Sequence, residues 1–263
     1  MMKFEKSLPV GLQIYSVRDY ASKDLEGTLM KVKEMGYDYV EPESLYGRTA
    51  EEYKAILDRC GLTAACIHAT YAEMLDDRYK VIADCKTFGV SYVAIPYLGE
   101  GDRPLGANFE SVLKNLGELG RTFAENGITL LYHNHDFEFV RMPDGSYGFD
   151  FMYGAVAPEY LQSEMDVCWV NVGGADPIAY LKKYANRCPV VHLKDFTGEK
   201  KADGGGDFDF RPVGYGRQDI PSVLTAAIES GAKYLVVEQD GWGDQTSLEA
   251  AAMSRGYLKS LGF

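Results

Sequence analysis

The sequence predicts one closed (β/α)8 barrel spanning residues 1–263, and three observations carry that reading. Eight short apolar runs alternate with amphipathic stretches along the whole chain, the pattern of a parallel sheet covered by helices. Four of the runs end in residues that can hold a metal or carry a proton, and barrel enzymes keep their chemistry where strand ends meet on one face. No linker or composition shift divides the chain, and 263 residues suit a single barrel.

The predicted strands are 11–17, 39–43, 63–68, 92–96, 128–133, 162–166, 190–194 and 234–238. Between them the spacing of apolar residues predicts helices over 25–35, 50–60, 78–88, 108–126, 177–185, 221–230 and 247–261. Glycine follows at Gly36, Gly61, Gly89, Gly127 and Gly231, as helix C-terminal caps require. Pro177 and Pro221 stand near helix starts. Two longer excursions, 136–158 and 196–217, follow strands with candidate ligands and are expected to overhang the active site. The second contains Gly204-Gly205-Gly206 and is too polar for core.

Composition narrows the function classes. Hydrophobic residues make up 46% of the chain, enough for a large core, and the net charge is −12 with no basic run. Nucleic-acid binding is therefore not expected, because phosphate neutralisation needs clustered cations. The five cysteines form no CxxC pair and are odd in number, which predicts buried, reduced thiols. The first residues lack an apolar signal core, and no apolar run nears the roughly 18 residues of a membrane span. A cytoplasmic protein is expected. No Gly-x-Gly-x-x-Gly, Walker or Gly-x-Ser-x-Gly sequence occurs, which argues against nucleotide-fold and serine-nucleophile chemistry.

The chemistry-bearing residues cluster late. Asp166 ends the sixth predicted strand, His192 lies in the seventh and Glu238 ends the eighth. A carboxylate after an apolar run must be paired, metal-bound or at the rim, because burying it alone is costly. Carboxylates with imidazoles suit Mn²⁺, Mg²⁺, Co²⁺, Zn²⁺ or Fe²⁺, so one divalent ion is expected. Strand alternation puts Lys194 on the face of His192, as an oxyanion holder or as an ion-pair partner. In Tyr132-His133-Asn134-His135-Asp136-Phe137-Glu138-Phe139 the alternation pairs His133 with His135. Either could bind metal, move a proton or bond a hydroxyl, and Glu138 could turn back to the ion. Gln13, Tyr15, Glu41 and His68 at early strand ends, with Trp169 after the sixth strand, are candidate contacts for a polyhydroxylated ligand. For each, solvation at the rim or simple packing is the alternative. Cys168 reads as a packed thiol.

These segments together resemble the sugar phosphate isomerase/epimerase family of xylose-isomerase-like barrels. The resemblance rests on Gly11-Leu12-Gln13-Ile14-Tyr15-Ser16-Val17-Arg18-Asp19, the 132–139 segment, Met165-Asp166-Val167, Val191-His192-Leu193-Lys194-Asp195, Pro212-Val213-Gly214-Tyr215-Gly216 and Val236-Val237-Glu238-Gln239-Asp240. It implies one divalent ion held by a strand-five Glu, a strand-six Asp, a strand-seven His and a strand-eight Glu, the last three being Asp166, His192 and Glu238. Where many relatives read Glu-Asn-His, this chain reads His133-Asn134-His135. Glu138 is the preferred replacement ligand and His133 the next. The implied activity is proton abstraction beside the carbonyl of a keto-sugar, with Glu238 or a histidine of the His133/His135 pair as the base and Lys194 holding a hydroxyl or the oxyanion, giving isomerisation or epimerisation. Because the strand-five residue is changed, β-elimination by a dehydratase or 3-keto-glycoside lyase is the runner-up, followed by a non-catalytic sugar-binding barrel. A small carbohydrate is the expected partner, with no nucleic acid or membrane, and homo-oligomerisation is left open.

Overall fold

A computed structural model describes residues 7–200 and 206–263. Its strands run Val10–Gln13, Tyr39–Glu41, a third in two pieces (Thr63–Ala64 and Ile67–His68), Tyr92–Ile95, Thr129–His133, Gln162–Asp166, Val190–Leu193 and Tyr234–Val237. All neighbours pair in parallel, and the first strand returns to the eighth with Gly11 opposite Val236. The first piece of strand three pairs with strand two and the second piece with strand four. The ring thus closes through Ala65-Cys66, as the alternating sequence pattern predicts.

Helix ends follow local chemistry. Thr49, Thr70 and Thr246 each form a reciprocal capping box with the Glu three residues on, satisfying two orphan backbone donors at each start. Gly36, Gly61, Gly89 and Gly262 end helices in the left-handed conformation, which glycine adopts without a Cβ clash.

Departures from expectation have local causes. Strand one ends at Gln13 rather than 17, because Gln13 Oε1 accepts the Tyr15 amide and the chain turns into a 3-10 helix, Ile14–Val17. The helix expected from residue 78 begins at Tyr71 and is interrupted at Asp77, whose Oδ1 accepts the amides of Tyr79 and Lys80 and restarts it. The excursion after strand five holds a 3-10 turn, Phe137–Phe139, and a helix, Gly148–Ala155. The one after strand seven begins as an antiparallel hairpin of Asp195–Thr197 with Asp209–Arg211. Much of its glycine-rich stretch, 201–205, lies outside the described residues.

Side-chain alternation sorts the core into two bodies. Leu12, Val40, Tyr132, Met165, Val191, Leu193, Leu235 and Val237 face outward into the shell of helices. Cys66, Ala94, Leu131, Val190 and Val236 form an inner layer. Tyr92 and Tyr234 pack against that layer, and Tyr39 meets Tyr234 edge-on at 5.3 Å. Above the inner layer, the next inward positions are almost all polar. All five cysteines are buried and unpaired, and among the described residues no helix is long and apolar enough to cross a membrane.

Two glycines of one helix, Phe109–Glu125, report how tightly this shell packs. A Cβ on Gly117 meets nothing within 4 Å, whereas one on Gly120 collides with the carbonyl of Tyr160. Gly117→Ala should therefore stabilise by up to about 1 kcal/mol through helix propensity. Gly120→Ala should destabilise by roughly 1–3 kcal/mol through overpacking. Urea unfolding of the two variants checks the opposite signs.

Candidate active site and metal centre

At the C-terminal ends of the strands the inward positions build a polar column in two tiers. The lower tier holds Gln13, Glu41, His68 and Glu164, and the upper holds Asp166, Lys194, Glu238 and Asp240. The imidazoles of His133 and His192 stand between them. Gln13, Glu41, Glu164, Asp166 and His192 are 0% exposed, so each charge must be answered inside the protein.

The contacts show how. His192 Nδ1 lies 3.0 Å from Glu238 Oε2, and its Nε2 lies 2.7 Å from Glu41 Oε2. His133 Nδ1 lies 3.2 Å from Glu164 Oε2, while its Nε2 faces Asp166 at 3.8 Å and Glu238 at 3.9 Å. His68 Nε2 sits between Glu164, at 2.7 Å, and Glu41, at 3.2 Å. Gln13 Nε2 donates to Glu41 at 2.7 Å. The Lys194 ammonium lies 3.2 Å from Asp166, 3.0 Å from Glu238 and 3.1 Å from Asp240.

Backbone locks hold this set in register. Asn134 accepts the amide of Asp166 and donates to its carbonyl, clamping strand six to the end of strand five. Asp166 Oδ1 caps the helix Val167–Val172 through the amides of Cys168 and Trp169, leaving Oδ2 for the site. Asp195 accepts four amides, from Phe196, Gly214, Gly216 and Gln218. This ties the 212–216 segment to strand seven.

Burial and charge set the protonation pattern. Burial alone would raise Glu41 and Glu238, but His68 and His192 hold Glu41 well below the carboxylate range, and Lys194 with His192 does so for Glu238. Burial lifts Asp166 to about 6 and, with the charge of Glu41, Glu164 to about 7. Burial and the charge of His192 keep His133 neutral, while burial and Lys194 lower His135 to about 3. Burial would strip the Lys194 proton, yet Asp166, Asp240 and Glu238 keep it an ammonium.

Donor atoms of His133, Asp166, His192 and Glu238 all lie within 4.8 Å of one another, and a lower set of His68, His133, Glu164 and His192 meets the same distance. Asp166 Oδ2 is buried and without a hydrogen-bond partner. A donor set of two imidazoles and two carboxylates at this range, with Asp166 Oδ2 making no hydrogen bond although the Lys194 ammonium stands 3.2 Å away, fits a divalent cation. The upper set opens onto a cavity of about 400 Å³ lined by Tyr15, Glu43, His68, Tyr97, His135, Lys194 and Asp240, with His133 and Glu238 in its wall.

The structure therefore brings together His133, His135, Asp166, His192, Lys194 and Glu238, with Tyr15 and His68 on the cavity wall. It separates others. Glu138, expected as the replacement ligand, is committed elsewhere: the Tyr132 hydroxyl donates to Oε1 and the His135 amide to Oε2. Tyr132 alternates with His133 and faces the outer shell, so Glu138 follows it away from the barrel axis. His133 takes the strand-five position instead. Gln13 and Glu41 lie beneath the cavity rather than in its lining. Trp169 lines an adjoining groove with Arg103, Phe137 and Lys200, which shares Tyr97 and His135 with the cavity. Glu164 was missed, although Gln162, Glu164 and Asp166 alternate along one strand face.

The chain matches the family described as Xylose isomerase-like TIM barrel over residues 29–261, and it belongs to that family. It is 26% identical over 247 residues to the rhizopine catabolism protein MocC of Rhizobium meliloti, covering 82% of this chain and 74% of that protein. It is 28% identical over 171 residues to an inosose dehydratase of Clostridium perfringens, covering 57% of this chain and 54% of that enzyme. A solved sugar phosphate isomerase/epimerase of Parabacteroides distasonis superposes with a TM-score of 0.80 at 23% identity, over 98% of this chain and 96% of that one. A xylose isomerase-like barrel protein of Mycobacterium smegmatis in complex with magnesium gives 0.71 at 18%, over 97% and 96%. These two likenesses establish the fold.

Two measurements follow. Asp166→Asn keeps the helix cap but loses the charge, so Mn²⁺ or Zn²⁺ affinity by calorimetry should fall at least tenfold with the far-ultraviolet dichroism unchanged. Burial raises Glu138 to about 7, so its proton is held more tightly in the folded state than in the unfolded one. Its contribution to stability is present at low pH and is lost as pH rises from about 4.5 through 7. Relative to Glu138→Gln, the wild type should lose up to about 3 kcal/mol across that window, read from urea unfolding at a series of pH values.

Proposed function

We propose that this protein is a divalent-metal-dependent lyase that removes a proton beside the carbonyl of an unphosphorylated, polyhydroxylated keto compound and expels the β-hydroxyl as water. The carrying observation is the unlike pair of carboxyl groups on the cavity wall. Glu238 is held ionised by Lys194 and His192, whereas burial raises Glu43. Groups pushed apart in this way divide into base and acid. With His133 in place of a strand-five carboxylate, the matched pair of a two-glutamate epimerase is absent from its usual positions.

His133, Asp166, His192 and Glu238 would hold the ion, which would supply polarisation of the substrate carbonyl and stabilisation of charge on its oxygen. Lys194 donates a hydrogen bond to the same oxygen or a neighbouring hydroxyl. Glu238 takes the α-proton. The released electron pair forms the carbon–carbon double bond as the β-carbon–oxygen bond breaks, and Glu43 delivers its proton to the departing hydroxide. Glu43 Oε2 is buried and has no partner, and its other oxygen accepts the Tyr46 hydroxyl, so no neighbour in the protein claims a proton carried on Oε2. His135, neutral and on the wall, hydrogen-bonds a hydroxyl. Three carboxylates against one lysine in the lining disfavour a phosphate ester.

The relatives named inosose dehydratase support elimination. Isomerisation or epimerisation would share the first step and differ in where the proton returns. The groove beyond Tyr97 and His135, about 830 Å³, favours a second reading in which the expelled group is a glycosyl oxygen rather than hydroxide.

Manganese-loaded protein, incubated in D2O with keto-cyclitols, keto-sugars and 3-keto-glycosides, should exchange deuterium beside the carbonyl and release an enone absorbing in the ultraviolet. Glu238→Gln should abolish both signals. Glu43→Gln should keep the exchange and slow elimination by roughly 10²-fold or more. An epimer or isomeric ketose formed without loss of water would overturn the lyase assignment, and no exchange with any carbonyl compound would overturn the enzyme reading.

A further inference from the structure

Glu41 and Glu164 have no route to substrate, being fully buried beneath the cavity. They are also poor devices for stability, since each leaves one buried oxygen, Oε1, without a partner, and buried charges are costly unless fully answered. Their placement against the two imidazoles is specific. The upper nitrogen of His192 is Nδ1 and its lower nitrogen, Nε2, meets Glu41 at 2.7 Å. In His133 the roles are reversed: Nε2 is upper, and Nδ1 meets Glu164 at 3.2 Å. Two rings on different strands, turned opposite ways, each set one nitrogen toward the upper carboxylates and the other on a lower one.

We infer that Glu41 and Glu164 are positioning residues of the metal centre, each fixing the tautomer of one imidazole ligand. This rests on the upper set being the ion's site. A neutral imidazole carries one N–H and one lone pair, and a carboxyl oxygen that bears no proton accepts whether or not its partner oxygen is protonated. With an ion on the upper nitrogen, the ring keeps its one proton on the lower nitrogen and donates it to Oε2 of Glu41 or Glu164, while Oε1 of each carboxyl group stays unpartnered. Outer carboxylates of this kind orient ligating histidines and raise their basicity. His68 and Gln13 complete the device: His68 Nε2 spans both carboxylates, and Gln13 donates to Glu41. Glu41 and Glu164 thus set two ligands while lining no part of the cavity.

The test needs zinc and no substrate. In zinc-loaded wild type, long-range proton–nitrogen correlation NMR should report opposite tautomers, Nδ1–H in His133 and Nε2–H in His192. Glu164→Leu should weaken zinc binding 10–100-fold, and Glu164→Gln, which keeps an acceptor oxygen, should weaken it less. Glu164→Leu should also lower the melting temperature of the metal-free protein, because the buried His68 loses its 2.7 Å partner, so the tautomers and the zinc affinity are the readouts that a purely structural carboxylate would not move. The opposite tautomers exchanged, or zinc affinity unchanged in Glu164→Leu, would sink the inference alone. Two zinc ions per wild-type chain, one of them lost in Glu164→Gln, would also sink it, because the lower nitrogens would then be ligands. Wild type that binds no zinc would remove the metal centre and this inference with it.

Discussion

The rest of this structure answers to one constraint, the concentration of carboxylates where eight strand ends converge. Glu41, Glu164, Asp166 and Glu238 are buried within one column, and like charges at such range cannot all ionise unanswered. Lys194, His68, His133 and His192 are the answers the chain provides. Their order along the barrel axis, with Lys194, His68 and His192 as cations and His133 as a neutral hydrogen-bond partner, is an electrostatic packing problem solved alongside the apolar one. The barrel contributes rigidity, because each group hangs from a strand whose neighbours fix its height.

That rigidity extends to segments that look irregular in the sequence. Asn134 does for strands five and six what a further ladder bond would do, at the level where the ladder stops. Asp195 gathers four amides and closes the long excursion after strand seven at its base. A Cβ at Gly216 would occupy the place of that carboxylate, which accounts for glycine in the Pro212–Gly216 motif. These are polar side chains used as backbone connectors, and they let the loops around the cavity start from defined points.

Much of this was legible in the residues. Strand–helix alternation predicted the barrel, and the polar strand ends predicted Asp166, His192, Lys194 and Glu238 at one mouth, because a two-residue period fixes which side chains point inward. What sequence periodicity does not carry is height. Gln13 and Glu41 end their strands just as Glu238 does, yet strand stagger sets them a tier lower, so they appeared to be rim contacts. Glu164 was hidden for the opposite reason: its strand was taken as an apolar run with a polar end, when its inward face is polar throughout. Glu138 could not be placed from spacing, since its direction depends on the outward-facing Tyr132 hydroxyl that it accepts.

The tyrosines at the far end of the barrel give the site a kinetic character. Tyr39, Tyr92 and Tyr234, edge to face beneath the inner apolar layer, make the barrel a blind cup rather than a pore. An ion or ligand bound there would enter by the same opening. A molecule seated at the mouth would cover the buried imidazoles and carboxylates below it.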